Sequence, residues 1–331
     1  MPEYDFSLVE AAIIDTQHNT LRLMRDVLGR LGIKKVDTYS NPKDAAARLN
    51  ASTPDLLLVD ADGEDAGAEA FKLVRTIRND PGTPNPFAGL IVTTWQPTPV
   101  LLMRVTNSGA DDLLVKPISP KQVQERIATL IRERKGFVVT SDYTGPDRRK
   151  SSREGNQIPL LDVPNTLKLK AIGKWATTNV RQLMTQAIRQ VSEQKVLRSS
   201  VQAAFLVEFA RDGLLKAPPD RMAIEHLARV PGVVDDLVRR LAEDADIAAA
   251  KTAARALRQV AESIRAQAEL GTADAKEVAR AVDLSHELMQ AVDSRRPLDS
   301  MLREVQAAVA GYRNRLEQLV QAKAAEAKTS S

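Results

Sequence analysis

Four polar side chains follow short apolar runs in the first part of the 331-residue chain, each at the end of a different run. The four residues and their runs are Asp15 after VEAAII (9–14), Asp60 ending DLLLVD (55–60), Thr94 ending GLIVTT (89–94) and Lys116 after DLLV (112–115). If these runs are parallel strands, their carboxyl ends lie at one edge of a sheet, where such folds bind ligands. A carboxylate, a hydroxyl and an ammonium at that edge would surround a single anionic group.

The elements that must position these residues alternate between apolar runs and amphipathic stretches. A fifth apolar run, KVDTYS (35–40), lies between the first two. Helical patterns are predicted at 18–31, 42–50, 67–79, 99–108 and 119–134. Strands separated by helices indicate a parallel sheet that is covered on both faces. We therefore predict an α/β domain with a doubly wound, five-stranded parallel sheet.

The remainder of the chain has a different composition. Residues 138–165 are rich in proline, glycine, serine and charge, and are predicted to be a linker between a domain at 1–137 and one at 166–331. The last region is helical in pattern and is predicted to form an α-helical bundle. A seam with alternating spacings of four and three residues runs through Leu298, Leu302, Val305, Val309, Tyr312, Leu316 and Leu319. The seam can be internal core or the interface of a homodimer.

The strand-end motifs resemble those of the bacterial response-regulator receiver family of two-component signalling. SGADDLLVKP (108–117) resembles the family's last helix–strand corner, and PDLLLVD (54–60) resembles its phosphoacceptor strand. Thr94 lies 22 residues before Lys116, as the family pattern requires. The resemblance ends at about residue 135, and the helical half is not part of it.

The resemblance implies a site for phosphoryl transfer from a histidine kinase, a phosphotransfer protein or a small phosphodonor. Asp60 would be the phosphoacceptor, and Asp15, Asp60 and the main-chain carbonyl of Asp62 would bind Mg²⁺. Lys116 would add a positive charge, and the Thr94 hydroxyl would hydrogen-bond a phosphoryl oxygen. The Lys-Pro peptide after the last strand is often cis in this family. Since the role of Asp62 depends on its main chain, its side chain is predicted to carry little information.

Two departures from the family pattern favour an alternative interpretation. Thr16 replaces the second of two adjacent acidic residues, which removes one negative charge and is expected to weaken Mg²⁺ binding. Trp95 follows the threonine where the family has a small residue, so its ring could cover the cleft. The alternative is a pseudo-receiver scaffold that is not phosphorylated.

Two segments outside the cleft suggest further alternatives. Arg148, Arg149, Lys150 and Arg153 concentrate positive charge and could grip phosphates of a cyclic dinucleotide or a nucleic acid; a solvated linker or a strap is the preferred interpretation. HLARVPGVVDDLVRRL (226–241) resembles a helix–turn–helix, but acidic residues near the start of its second helix would repel phosphates, so an ordinary helical hairpin is preferred. A phosphorelay through His226 or His286 is the remaining alternative, which the residues around them do not favour.

Composition narrows the function further. The chain has no cysteine, which excludes disulfides, thiolate zinc sites and cysteine nucleophiles. The net charge of +4 is small for the length and does not itself indicate nucleic-acid binding. No apolar run approaches the ~20 residues of a membrane span, so a cytoplasmic location is expected. We predict a signalling protein rather than an enzyme, in which the receiver controls a helical module that binds an unidentified partner or dimerises.

Overall fold

The computed structural model describes residues 4–49, 52, 54–149, 159–241 and 247–329. The chain divides into two compact units, Met1–Val191 and Ser192–Ser331. Each unit has its own hydrophobic core. Among the described residues, no helix has both the length and the apolar character that crossing a bilayer requires.

The first unit is built on a five-stranded sheet in the order β2-β1-β3-β4-β5, in which every neighbouring pair is parallel. The strands are β1 (Glu10–Ile14), β2 (Lys35–Tyr39), β3 (Leu56–Asp60), β4 (Gly89–Thr94) and β5 (Asp112–Val115). This confirms the predicted fold class. Because β1 neighbours both β2 and β3, the strand order reverses there, which opens a crevice at the carboxyl ends of β1 and β3.

Five helices cover the two faces of this sheet. They are α1 (His18–Arg30), α2 (Pro42–Leu49), α3 (Glu64–Asn79), α4 (Pro99–Ser108) and α5 (Pro120–Arg132). The side chains of β3 alternate between the faces, as the two-residue period of a strand requires. Leu56 and Leu58 pack with α1 and α5, while Leu57 and Val59 pack with α2 and α3. The sheet is thus buried on both sides, and β3 lies at its centre.

A short hairpin extends the first unit beyond the sheet. β6 (Phe137–Val139) and β7 (Thr144–Pro146) pair antiparallel, Leu161 bridges to Phe137, and α6 (Thr166–Ala171) follows. Within the described residues, the structure therefore differs from the predicted linker at 138–165, of which 150–158 lie outside the description. The first unit continues past residue 137 to Val191. Glycine, proline and charge are as common in a tight hairpin as in a linker, so composition did not separate the two.

Phe137 anchors the hairpin to the sheet domain. Two guanidinium groups lie near its ring, Arg78 at 5.1 Å and Arg134 at 4.9 Å from the ring centroid. Both arginines also pair with Asp111, Arg78 at 2.7 Å and Arg134 at 2.8 Å. The ring of Phe87 meets Phe137 edge-on at 5.8 Å. A buried ion pair and an aromatic contact thus join the hairpin to the loop before β4.

The start of α7 (Val180–Leu214) completes this side of the first unit. Phe87, Phe137 and Val139 form a small apolar cluster with Ala187 and Val191 of α7. Phe87 and Phe137 are fully buried in it. Residues outside the five-stranded domain therefore cover one of its largest apolar side chains.

The second unit is helical, as predicted. Its remaining helices are α8 (Arg221–Leu227), α9 (Val230–Arg240), α10 (Ala248–Glu269), α11 (Ala275–Val292) and α12 (Leu298–Thr329). Apolar residues of α7 to α11 form one core, and α12 packs on a second cluster through Met301, Val305 and Val309. The predicted seam is internal packing as far as Leu316, which is partly buried, whereas Leu319 is exposed.

Candidate functional site

The carboxyl ends of four strands bring the predicted site residues to one edge of the sheet. Asp15 directly follows β1, Asp60 is the last residue of β3, Thr94 is the last residue of β4, and Lys116 directly follows β5. The ends are aligned by strand register, since Asp60 pairs with Thr93 and Thr94 with Val115. The Lys116–Pro117 peptide is cis, as the resemblance implies.

Lys116 joins the two carboxylates that come from neighbouring strands. Its Nζ donates to Asp15 Oδ2 at 2.7 Å and to Asp60 Oδ1 at 2.6 Å. All three side chains are almost completely buried. The other oxygen of Asp15 accepts the main-chain N–H of Gln17 at 2.8 Å, which fixes the carboxylate. The structure therefore brings Asp15, Asp60 and Lys116 into direct contact.

The side chain of Asp62 makes contacts in the site that the sequence analysis did not predict. The Thr94 hydroxyl donates to Asp62 Oδ1 at 2.7 Å, and the Trp95 N–H donates to the same oxygen at 2.9 Å. Lys116 Nζ lies 3.3 Å from Asp62 Oδ2. The prediction that this side chain carries little information is wrong, because the carboxylate folds back onto β4. The sequence did contain a signal for these contacts. It has an acidic residue, Asp62, two positions after the strand-end aspartate and directly before a glycine.

Trp95 borders the cleft without closing it. Its side chain is 46% exposed, and Lys116 Nζ lies 5.9 Å from the centroid of its ring. Its main-chain N–H points to Asp62. Trp95 thus contributes a main-chain donor to the site and an aromatic face near the ammonium.

The electrostatics of the site are dominated by three carboxylates around one ammonium. Burial raises the pKa of Asp60 to about 6, which the hydrogen bond from Lys116 opposes and the nearby carboxylates of Asp62 and Asp15 reinforce. Burial also acts to raise the pKa of Asp62, but hydrogen bonds from Thr94 and Trp95 hold it below the usual value. With the groups ionised, the negative charges outnumber the positive one.

The pKa of Lys116 moves in the direction that keeps it charged. Burial alone would lower the pKa of this ammonium, but the hydrogen bonds to Asp15 and Asp60 outweigh burial and raise it. Lys116 is therefore a permanent cation at neutral pH, and it partly compensates the carboxylates of the cleft.

The donor set is of the type that Mg²⁺ prefers. It includes the carboxylates of Asp15 and Asp60, which Lys116 brings together. The resemblance implies the main-chain carbonyl of Asp62 as a third ligand, and Mg²⁺ usually keeps several water ligands besides. Thr16 contributes a neutral hydroxyl in place of a carboxylate, and the Lys116 ammonium already bonds both acids. In the part of the chain that the structure describes, no three histidine, aspartate or glutamate side chains form a metal cluster. These residues fit a hydrated cation. They supply one negative charge fewer than a site with two adjacent acidic residues after β1 would supply.

The arginine-rich segment is only partly within the described residues. Arg148 donates from Nη2 to the main-chain oxygen of Asp111 at 2.8 Å, and Arg149 pairs with Asp147 at 2.9 Å. Lys150 and Arg153 lie outside the described residues. Arg148 thus acts as part of a strap on the first unit, the interpretation preferred over nucleotide binding.

The residues behind the helix–turn–helix and phosphorelay alternatives make ordinary packing contacts between helices. Segment 226–241 contains the end of α8 and the whole of α9, whose apolar residues Val234 and Leu237 are buried in the core of the second unit. His286 Nε2 lies 3.2 Å from Glu208 Oε1, and the ring of His226 lies 4.4 Å from that of Phe209. These contacts are those of a helical hairpin and of helix-face histidines.

Comparison with known proteins places the similarity in the first unit. Residues 11–128 match the family described as the response regulator receiver domain. The phosphate regulon transcriptional regulatory protein PhoB of Rhizobium meliloti is 28% identical over 134 residues, 40% of this chain and 57% of PhoB. The transcriptional regulatory protein ResD of Bacillus subtilis is 28% identical over 120 residues, 36% of this chain and 47% of ResD. The chain thus spans about half the length of these curated relatives.

Solved structures match a similar share of the chain. The chemotaxis protein CheY4 of Vibrio cholerae is 18% identical, with 36% of this chain and 96% of that chain covered and a TM-score of 0.33. A CheY-like response regulator receiver domain protein from Methanospirillum hungatei is 22% identical, with 37% and 92% covered and a TM-score of 0.33.

Proposed function

We propose that the chain is a two-component signalling protein that accepts a phosphoryl group on Asp60, because residues 11–128 match the response regulator receiver domain family. The observation that supports this most is the contact of one ammonium with both strand-end carboxylates. Lys116 Nζ lies 2.6 Å from Asp60 and 2.7 Å from Asp15. Such an ammonium compensates charge on the acceptor and on a group transferred to it.

The proposed step is an in-line phosphoryl transfer. An oxygen of Asp60 attacks the phosphorus of a phosphohistidine or a small acyl phosphate, and the bond between phosphorus and the donor atom breaks. The product is an aspartyl phosphate, and the leaving group departs as imidazole or carboxylate. A pKa of about 6 leaves Asp60 mostly ionised at neutral pH, so the attacking carboxylate is present.

Mg²⁺, held by Asp15, Asp60 and the Asp62 carbonyl, would supply charge neutralisation when bound. Lys116 would follow the phosphoryl group by moving from the carboxylates to a phosphoryl oxygen. The Thr94 hydroxyl would report the modification, because it lies at the end of β4 next to the loop that leads into α4.

The proposed output is a protein contact rather than a second chemical reaction. A histidine kinase or phosphotransfer protein of the cytoplasm would be the phosphodonor, and the helical second unit would bind a protein partner or a second copy. What supports this is the packing of α7 to α12 into helical clusters around apolar cores.

Incubation with acetyl phosphate and Mg²⁺, followed by intact mass spectrometry, tests the proposal. We expect one added phosphoryl group on the full chain and none on Asp60→Asn. Asp65→Asn, which changes an exposed carboxylate at the start of α3, is the matched control and should be modified like the unsubstituted chain. Modification that persists in Asp60→Asn would refute the assigned acceptor.

A pseudo-receiver scaffold is the second candidate, favoured by Thr16 at the metal site. A neutral hydroxyl there leaves fewer charges for Mg²⁺ than two adjacent carboxylates would. This candidate predicts no Mg²⁺-dependent modification at any acetyl phosphate concentration. Clear phosphorylation of Asp60 would exclude it.

A further inference from the structure

The Asp62 carboxylate occupies a small anion pocket beside Asp60. Its three donors are a hydroxyl, a main-chain N–H and an ammonium, from Thr94, Trp95 and Lys116. The Trp95 N–H lies within 2.9 and 3.1 Å of the two carboxylate oxygens, so it faces both. A hydroxyl, an N–H and an ammonium that converge on one group recognise an anion, whether a carboxylate or a phosphoryl group.

The backbone after β3 is shaped to bring Asp62 into this pocket. Gly63 has a φ of +81°, a conformation that residues with a Cβ rarely adopt. Gly67, in the first turn of α3, packs so closely that a Cβ would lie 2.5 Å from the main-chain oxygen of Ala61. These two glycines let the chain turn sharply after β3 and let α3 approach it. The position of Asp62 is therefore built into the loop.

The Thr94 hydroxyl is committed to Asp62. Its oxygen accepts the main-chain N–H of Gln96 at 3.2 Å, and its single proton is donated to Asp62 Oδ1. A hydroxyl has one proton to donate. Thr94 therefore cannot donate to a phosphoryl oxygen on Asp60 while it holds Asp62.

We propose that Asp62 is an internal anionic ligand of this pocket. In the unmodified chain it holds the loop from Thr94 to Gln96 in an anion-bound arrangement, and a phosphoryl group on Asp60 has to displace it. The displacement rests on the proposed function, whereas occupation of the pocket by Asp62 does not.

A neighbouring cavity provides room for the displaced carboxylate. The cavity has a volume of about 480 Å³ and lies between the start of α3, the β4–α4 loop and α4. Asp62, Trp95, Leu101 and Arg104 are among its lining residues. Rotation of the Asp62 side chain would move it from the pocket into a space that already contains a guanidinium group. The same cation would offset the loss of contact with Lys116.

Fluorescence of Trp95 tests the occupation of the pocket without any phosphorylation. The chain has two tryptophans, so Trp175→Phe leaves Trp95 as the single reporter. In this background we compare the native Asp62 with Asp62→Ala and Asp62→Asn, and titrate inorganic phosphate against chloride at equal ionic strength. Asp65→Ala, which removes an exposed carboxylate three residues away, is the matched control.

The native pocket and the Asp65→Ala chain should not respond to phosphate, because Asp62 fills the site. Asp62→Ala should show a saturable change in Trp95 emission, which Thr94→Val added to the same chain should abolish. Asp62→Asn should respond more weakly, since its amide oxygen can still accept from Thr94. An equal response in the native and Asp62→Ala chains, or no response in either, would overturn the proposal.

The rate of modification by acetyl phosphate tests the displacement. Asp62→Ala should be phosphorylated on the order of tenfold faster than the native chain, because no internal anion has to leave. Asp65→Ala should match the native rate. Equal rates for Asp62→Ala and the native chain would contradict the displacement. If Asp60 is modified in none of these chains, the proposed function fails, and the phosphate titration still decides whether Asp62 fills the pocket.

Discussion

Replacing Asp60 by asparagine should make the first unit more stable at neutral pH. Asp60 is 4% exposed and shares its surroundings with two other carboxylates, while a single ammonium serves all three. Asparagine keeps the shape of the side chain and an oxygen that can accept from Lys116, but removes one buried negative charge. Lys116 retains Asp15 and Asp62 as ionic partners.

The size of the effect follows from the pKa of Asp60. It rises from 3.8 to about 6, and each unit corresponds to about 1.4 kcal/mol. Ionisation of Asp60 therefore costs the native state about 3 kcal/mol above pH 6, of which we expect 2–3 kcal/mol to be recovered by the asparagine. Since the native pKa is raised, the cost falls as the pH drops below about 6 and disappears below 3.8, where Asp60 is protonated in both states.

Urea unfolding of the full chain, followed by tryptophan fluorescence in the presence of a chelator, measures this difference. Both tryptophans, Trp95 and Trp175, lie in the first unit, so the signal reports that unit alone. The free energy of unfolding should be compared at about pH 7.5, 6 and 4.5. Asp26→Asn, at an exposed position of α1, is the matched control.

The reasoning would be refuted by either of two results. One is an Asp60→Asn chain that is no more stable than the unsubstituted chain near pH 7.5. The other is a gain in stability that stays constant between about pH 6 and 4.5, because a buried charge must lose its effect when it is protonated. A gain of the same size in Asp26→Asn would assign the effect to net charge instead.

Three further substitutions should lower stability in the same unfolding assay. Lys116→Met leaves the carboxylates of the cleft without their cation and should cost about 3–5 kcal/mol, less at acidic pH where Asp60 is protonated; an unchanged stability near pH 7.5 would count against the ion pairs. Arg78→Met removes a fully buried partner of Asp111 and should also cost about 3–5 kcal/mol, and a loss below ~1 kcal/mol would be inconsistent with that pair. Gly109→Ala should cost about 1–3 kcal/mol, because Gly109 has a φ of +87° and an added Cβ would collide with the main-chain oxygen of Thr144; a neutral result would mean that the hairpin can move away.

The sheet and the strand-end residues could be predicted from the sequence because local signals agreed with the final packing. β3 is central, and its run of apolar residues ends directly at Asp60. Asp15, Thr94 and Lys116 occupy equivalent places on neighbouring strands, so topology alone brings them together. A residue at a strand end has little freedom in where it points, which makes this kind of prediction reliable.

The features that could not be predicted depend on loops and on partners distant in sequence. Asp62 lies in a loop, where the backbone turn at Gly63 decides the direction of its side chain. The hairpin at 137–146 has strands of only three residues. Its Phe137 is held by Arg78, which lies in α3, and by Arg134, which follows α5. No periodicity within so short a segment can specify such contacts.

The burial of Phe87 depends on residues that lie outside the part of the chain that matches the family. The family match stops at residue 128, yet the ring that precedes β4 is shielded from water by Phe137, Val139 and the first turns of α7. A fragment cut at the family limit would present that apolar face to solvent and invite self-association. The apolar packing around the five-stranded sheet therefore continues past the residues that match the family, into the hairpin and α7.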